Sequence, residues 1–418
     1  MTDSIIRNPG LAQEGERRIQ WAWRNMPLLN DVEKSFREEK PFEGKTISLS
    51  VHLEAKTACL CKVLKAGGAD MYVTGSNPLS TQDEIAAALA GEGMHVYALH
   101  GATKEEYNAC IESVVKAAPD IIIDDGGDIM NMMVESHPEL CSKVLGGCEE
   151  TTTGIRRLQA LDRKGRLPFA MMAVNDADCK HLFDNRFGTG QSVFDAIDRN
   201  SNLLVAGKYV VVAGFGMCGR GVAMRARGLG AKVIVTEVDP VRALEAHMMG
   251  YTVMSMQEAA RIGDIFVTVT GNCDVIGEKE FAILKDGAIL TNAGHFDVEV
   301  NMATLRRIST ETWEARHNID AYRQDDGRIL YVIGEGRLVN LAAGDGHPVE
   351  IMDMSFAVQA LSAAYIAANG KKLEKHLYSV PHEIDTMIAA RKLKTLGISI
   401  DVLTEEQKAY MNSTSGTF

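Results

Sequence analysis

None of the chain's eight cysteines stands in the C-x-x-C spacing of a zinc knuckle or a redox dithiol. Cys59, Cys61, Cys110, Cys141, Cys148, Cys179, Cys218 and Cys273 are scattered through 418 residues, which argues against both structural zinc and a disulfide framework. Clustered positive charge is also missing. Lys and Arg number 44 against 56 Asp and Glu, a formal net charge of −12. A broad nucleic-acid or anionic-membrane footprint is therefore not expected, because phosphates are bound by grouped Lys and Arg. The opening MTDSIIRNPGLAQEGERR has no basic stretch followed by an apolar run, and no uninterrupted apolar run approaches the roughly 20 residues that span a bilayer. A cytoplasmic protein is the expectation. Internal repeats and low-complexity tracts are absent too. What remains, 46% hydrophobic and 24% charged, suffices for two or three ordinary cores that handle small molecules.

From Lys45 onward short apolar runs alternate with amphipathic stretches: TISLSV, DMYVTG, MHVYAL and PDIIIDD, each followed by a helix-like segment. That alternation predicts parallel β/α units, whose crossover helices cover both sheet faces. Polar residues close three of the runs: His52, Ser76-Asn77-Pro78 and Asp124-Asp125-Gly126-Gly127-Asp128. In open parallel sheets the ligand crevice lies beyond the strands' carboxyl ends, so these turns predict one shared rim. A second block begins at Lys208 and repeats the pattern at KVIVTEVD, DIFVTVTG, GAILTNAG and ILYVIGEG. Helical signal follows from Val349 to about Gly370 and near Pro381 to Lys394.

Within YVVVAGFGMCGRGVAMRARGLGAKVIVTEVDP, three glycines separate a buried-strand run from a helix-like run. Gly214 allows the tight turn, Gly216 lets the backbone approach a pyrophosphate and Gly219 allows close helix–strand packing. Glu237 closes the next strand, where a carboxylate accepts from both ribose hydroxyls and repels a 2′-phosphate. The unit predicts a dinucleotide of the NAD type. An ordinary strand–helix turn with a solvated strand end is the plainer reading, and Arg242 keeps a 2′-phosphate in view.

Further stretches fall into register with that turn: GSNPLSTQD, DDGGD, EETTTGIRRL, KHLFDNRFGTGQS, NAGHFDVEV and EGRLVNLAAGDGHP. Together they resemble the S-adenosyl-L-homocysteine hydrolase family from about Trp21 to Tyr410. The chain's shorter length is similar to the archaeal branch that includes S-inosyl-L-homocysteine hydrolases. The resemblance implies an α/β chain with two Rossmann-like doubly wound parallel-sheet domains and a small helical C-terminal segment. A substrate domain at 1–187, completed by 348–385, would flank an NAD domain at 188–347, with an oligomerisation segment at 386–418 of a homotetramer. It also implies one tightly bound NAD+ per subunit and reversible hydrolysis of S-adenosyl-L-homocysteine to adenosine and L-homocysteine, by 3′-oxidation, elimination, water addition and 3′-reduction.

Such chemistry needs a base at the 3′-hydroxyl, a base at the 4′ position and an acid for the leaving sulfur. Carried over motif by motif, Lys180 and Asp184 meet the 3′-hydroxyl, with Lys180 the base if burial or a neighbouring positive charge lowers its pKa. Glu150 and Asp184 hold the ribose hydroxyls. His52 and Asp125 serve the 4′ proton, the leaving group and the incoming water. His295 and His347 fall near the homocysteine side and the hinge, and Glu54, Lys56, Thr57 and Met352 complete the substrate set. For NAD the matching positions are Thr151, Thr152, Thr153, Asn185, Gly214, Phe215, Gly216, Met217, Cys218, Gly219, Glu237, Arg242, Asn272, Asn292, Ala293, Gly294, His295, Asn340 and His347. No metal is expected.

By residue type alone, a single histidine is more often a satisfied, half-buried side chain, Thr151 to Thr153 a cap-rich turn, and Asp124-Asp125 a metal site or an Asx turn. A 2-hydroxy-acid dehydrogenase would share the glycine turn but release NADH.

Three positions depart from the family pattern. Thr189 stands where most members carry a cysteine near sugar and nicotinamide. The tail STSGTF lacks the Lys- and Tyr-containing end that reaches a neighbour's NAD, for which Lys408 and Tyr410 are partial substitutes. Lys56 replaces a glutamate that accepts from the 6-amino group of adenine. An ammonium is donor-only and suits the 6-oxo group of hypoxanthine instead, unless it pairs with Glu54 or turns to solvent.

Overall fold

The computed structural model describes residues 3–413. Its first sheet takes seven strands from the first half of the chain: β1 (Ile5–Ile6), β2 (Thr46–Ser50), β3 (Asp70–Thr74), β4 (His95–Ala98), β5 (Ile121–Asp124), β6 (Gly146–Glu149) and β7 (Met171–Ala173). The second sheet holds β8 (Tyr209–Ala213), β9 (Lys232–Thr236), β10 (Thr252–Val253), β11 (Ile265–Thr268), β12 (Ile289–Asn292), β13 (Glu311–Arg316), β14 (Ile319–Arg323) and β15 (Ile329–Ile333). The chain then returns, and β16 (Leu377–Ser379) pairs in parallel with β7.

The order in the first sheet is β1-β4-β3-β2-β5-β6-β7-β16, and in the second β10-β9-β8-β11-β12-β15-β14-β13. Sequence order reverses between β2 and β5 in one sheet and between β8 and β11 in the other. Each reversal opens a crevice at the strands' carboxyl ends, because the flanking crossovers leave in opposite directions. His52 follows β2 and Asp125 follows β5. Gly214 follows β8 and Thr270 follows β11.

Runs such as Ile121–Asp124 and Val210–Ala213 are buried along their whole length, as sheets covered on both faces require. Pairing is parallel throughout the first sheet. In the second, β14 runs antiparallel to β13 and β15. The apolar pattern of the sequence marks β15 but not β13 or β14. β13 is exposed along most of its length, so its apolar pattern is weak. The hairpin turns instead on left-handed Asn318 (φ 63).

The helix Val349–Asn369 is long and apolar enough to cross a bilayer by composition, yet most of it is buried in the first domain's core. Glu350 and Asp353 interrupt its apolar sequence. The helices His382–Thr395 and Glu405–Met411 follow.

Candidate active site in the interdomain cleft

The two crevices open onto a single cleft of about 1330 Å³, larger than the roughly 300–1,000 Å³ of an ordinary small-molecule pocket. It has room for a dinucleotide and a second ligand together. On the first-sheet side it is lined by His52, Glu54, Lys56, Thr57, Asp125, Glu150, Thr151, Thr152 and Thr153. The segment linking the sheets adds Lys180, Asp184 and Asn185, and the second domain adds Gly214, Gly216, Met217, Cys218, Glu237, Arg242, Asn272, Ala293, Gly294, His295 and Asn340. His347 and Met352 close it. Three expected residues do not reach the cleft surface. Phe215 buries its ring in the second domain's core, edge-on to Tyr251, and Gly219 packs beneath the turn. Asn292 lies outside the lining as well, since its amide donates to the carbonyls of Gly294, Phe296 and Gly336.

Lys180 is the centre of the first polar group. Residues His181–Gly188 form a π-helical segment, whose wider turn lets the side chains at i+4 and i+5 face one point. The Lys180 ammonium donates to Asp184 Oδ1 at 3.2 Å, Asn185 Oδ1 at 2.9 Å and Asn175 Oδ1 at 3.3 Å, and lies 3.5 Å from Glu150 Oε1. Burial alone would lower its pKa, but Asp184 and Glu150 outweigh burial and hold it above the ordinary lysine value. In this arrangement the two carboxylates favour the ammonium form of Lys180. Burial lifts the Glu150 carboxyl to about 8 despite Lys180. Asp184 is buried too, yet Lys180 and His347 hold it well below the carboxylate range.

A second group surrounds His52. Ser80 Oγ lies 2.6 Å from Nδ1, and Asp125 Oδ2 lies 3.5 Å from Nε2. The Ser76 hydroxyl donates to Asp125 at 3.0 Å. Burial pushes His52 down to about 4, against the attraction of Asp125, so the imidazole is neutral near pH 7 and free to accept a proton. His295 reaches across from the second domain, its ring 6.0 Å from that of His52. The ligand atoms of His52, Asp125 and His295 lie within 4.8 Å of one another, a spacing that a cation or a proton-transfer set can use.

At the hinge, His347 Nδ1 is 3.1 Å from Asp184 and its Nε2 is 3.3 Å from the Thr189 hydroxyl, which donates to Cys218 Sγ at 3.6 Å. Thr189 removes the expected thiol, and Cys218 supplies another next to it. Lys56 is neither solvated nor paired with Glu54 alone. Its ammonium donates to the carbonyls of Asp345 at 2.9 Å and His347 at 2.8 Å, with Glu54 Oε2 at 3.3 Å.

The cofactor side fits NAD on its own geometry. Gly214 takes φ +101°, and a Cβ on Gly219 would fall 1.9 Å from the Gly214 carbonyl. Glu237 follows β9, its two oxygens oriented by the N–H groups of Phe215, Val238 and Asp239 at 2.7 to 3.1 Å. Arg242 lies 3.6 Å from Asp239, so carboxylates dominate where a 2′-phosphate would sit. Asn340 donates to Ser192 at 3.0 Å, while its Oδ1 is buried without a partner. An orphaned acceptor in this place suits the amide N–H of a carboxamide.

The supporting residues Ser76, Ser80, Asn175, Ser355 and Gln359 were not picked out as site residues from sequence. Ser355 donates to Asp184 at 2.7 Å, and Gln359 donates to Glu150. Both belong to the buried helix Val349–Asn369, where polar residues at helical spacing in an apolar run were a usable signal.

Comparison with known proteins finds relatives over nearly the full length of the chain. Residues 185–346 match the model of the S-adenosyl-L-homocysteine hydrolase NAD binding domain, and residues 3–139 match that of S-adenosyl-L-homocysteine hydrolase. S-inosyl-L-homocysteine hydrolase of Methanocaldococcus jannaschii is 56% identical, covering 97% of this chain and 98% of the relative. Adenosylhomocysteinases of Thermococcus kodakarensis and Aquifex aeolicus are 54% and 53% identical, each covering 98% of both chains.

Proposed function

This chain belongs to the S-adenosyl-L-homocysteine hydrolase family, and from that premise we propose how its own residues divide the cleavage of a nucleosyl-homocysteine thioether. It is an NAD-dependent enzyme of the adenosylhomocysteinase type. When bound, NAD+ supplies reversible oxidation at the ribose 3′ carbon, which acidifies the neighbouring 4′ hydrogen.

Lys180, held as an ammonium, donates to the 3′ oxygen and stabilises negative charge developing there. Glu150 exchanges the proton of that hydroxyl, since its raised carboxyl changes state near neutrality. Asp184, fixed by Ser355 and His347, holds the adjacent hydroxyl. Across the sugar, neutral His52 and Asp125 move the protons of elimination and water addition, and His295 closes the homocysteine side. Asn340 and Thr151 to Thr153 orient the carboxamide. The clustering of Lys180, Asp184, Glu150, Asp125 and His52 around one cleft beside the glycine turn carries this reading. Substrate domain 1–187 with 348–385, NAD domain 188–347, C-terminal segment 386–418, a homotetramer and a cytoplasmic location belong to the same proposal.

The substrate read by the main reading is S-adenosyl-L-homocysteine. A second, S-inosyl-L-homocysteine, is favoured by Lys56. Lys56 lines the cleft as a donor-only group, its ammonium held by the carbonyls of Asp345 and His347. Homocysteine release, followed with a thiol reagent on both nucleosides, tests the proposal. Release without net NADH is expected, and Lys56→Glu is expected to shift the ratio of rates toward the adenosyl compound by about tenfold or more, the worth of one misplaced buried donor. Stoichiometric NADH would sink the hydrolase reading. A ratio unmoved by Lys56→Glu would remove the inosyl reading alone.

A further inference from the structure

At the carboxyl ends of β5 and β6 the register sets Asp124 directly beside Glu149. Both side chains are fully buried, and neither lines the cleft. Each precedes a carboxylate that does, Asp125 and Glu150. Glu149 Oε1 accepts from the N–H of Gly126 at 2.9 Å and of Thr151 at 3.0 Å, the peptide groups immediately after those two residues. Asp124 accepts from the N–H of Asp125 at 3.2 Å and of Met130 at 2.9 Å, and its carbonyl accepts from Glu150 N–H at 2.9 Å. One buried carboxyl thus ties together the two turns that present Asp125 and Glu150. The neighbouring helix makes room for it only through a missing side chain: a Cβ at Gly154 would lie 2.1 Å from Glu149 Cδ.

No cation balances this pair. Among the described residues no Lys or Arg forms an ion pair with Asp124 or Glu149. Arg157, the nearest candidate on the helix Thr152–Asp162, donates to the Gly126 carbonyl at 2.7 Å and lies 3.5 Å from Asp128, which also accepts from Tyr107. Asp125, Asp128 and Glu150 add only negative charge, and Lys180 is engaged with Glu150 and Asp184. Burial raises both carboxyls, reinforced at Asp124 by the charges of Asp128 and Asp125 and at Glu149 by that of Asp124. Asp124 has an N–H donor on each oxygen, whereas Glu149 Oε2 has no partner. Glu149 Oε2 is thus the one oxygen of the two carboxyls where no N–H donor competes with a proton.

We propose that Glu149 is a positioning residue, which as a neutral acid bridging Gly126 and Thr151 fixes Asp125 and Glu150 relative to each other across the substrate. The inference rests on the roles given above to Asp125 and Glu150. Glu149→Gln keeps the acceptor for both N–H groups and places an amide where the acid carries its proton. Its kcat is expected to stay within about threefold of wild type, with an unchanged pH profile. Glu149→Ala removes the bridge, and Gly154→Ala displaces it without altering its chemistry. Both are expected to lose about a hundredfold in kcat, the cost of roughly 1 Å of misplacement, while bound NAD and KM change little. If Glu149→Ala does not fold, Gly154→Ala decides. A Gln variant as impaired as Ala would overturn the neutral acid, and full activity in Gly154→Ala would overturn the positioning role. A wild-type enzyme that releases no homocysteine removes the functional reading and this proposal together, whereas active alanine variants remove this proposal alone.

Discussion

His52 shows how burial chooses a protonation state. In the unfolded chain its imidazole has the ordinary value near 6.5, and burial pushes it down to about 4 in the fold. Between those values the unfolded state binds more protons, so stability rises with pH across the window and is lost as pH falls from 6.5 toward 4. The full effect is on the order of 3 kcal/mol. The thermal midpoint of wild type should therefore fall across this window by more than that of His52→Gln, which has no proton to gain. Parallel pH dependences in the two proteins would show that the imidazole is not desolvated. The same neutrality near pH 7 is what an acceptor of the 4′ proton needs. Lys180 shows the opposite outcome of equal burial, because three side-chain acceptors and a further carboxylate surround its ammonium.

At the scale of elements, the glycines at the crossing of two helices connect fold to chemistry. The helix Met217–Gly228 packs against Thr189–Ser201 and the π-helical segment before it, so closely that a Cβ on Gly221 would lie 1.8 Å from the carbonyl of Arg186. Arg186 belongs to the π-helical segment that presents Asp184 and Asn185 to Lys180. Gly221→Ala must push this segment away, so it should cost about 1–3 kcal/mol of stability and lower kcat as well. A variant that loses stability with normal kcat would disconnect the crossing from the site. The glycine turn, Glu237 and the strand-end residues His52 and Asp125 were legible in the sequence, because periodicity and turn chemistry are local. Ser80, Ser355 and Gln359 were not singled out. They reach His52, Asp184 and Glu150 across 28, 171 and 209 residues, so the spacing of Ser355 and Gln359 marks a polar stripe on a helix without telling which side chains it meets. The surroundings of Lys180 were legible only in part, since Asp184 lies four residues away while Glu150 comes from a different strand.

The whole molecule places two switch points face to face, so its chemistry depends on how two domains are held. Within one chain the cleft is bridged by Lys56 to the 345–347 loop and by Arg156, which donates to the Gly271 carbonyl at 2.8 Å. The end of the chain is a different matter. Leu396, Ile398, Ile400, Val402, Leu403, Tyr410 and Met411 are all exposed, Val402 at 82%, on a segment that packs little against its own domains. Apolar side chains in such density mark a surface made to be covered, and the proposed homotetramer supplies a second copy to cover it. The tail STSGTF begins at Ser413 and lies almost wholly outside the described residues, and Lys408 and Tyr410 stand exposed on the helix Glu405–Met411 just before it. Ending the chain after Thr395 should therefore yield a smaller assembly by light scattering and faster loss of bound NAD on dilution, with the thermal midpoint of the two domains little changed. A tetramer that survives this truncation would assign its assembly to other surfaces, and unchanged NAD retention would show that each subunit closes its cofactor site alone.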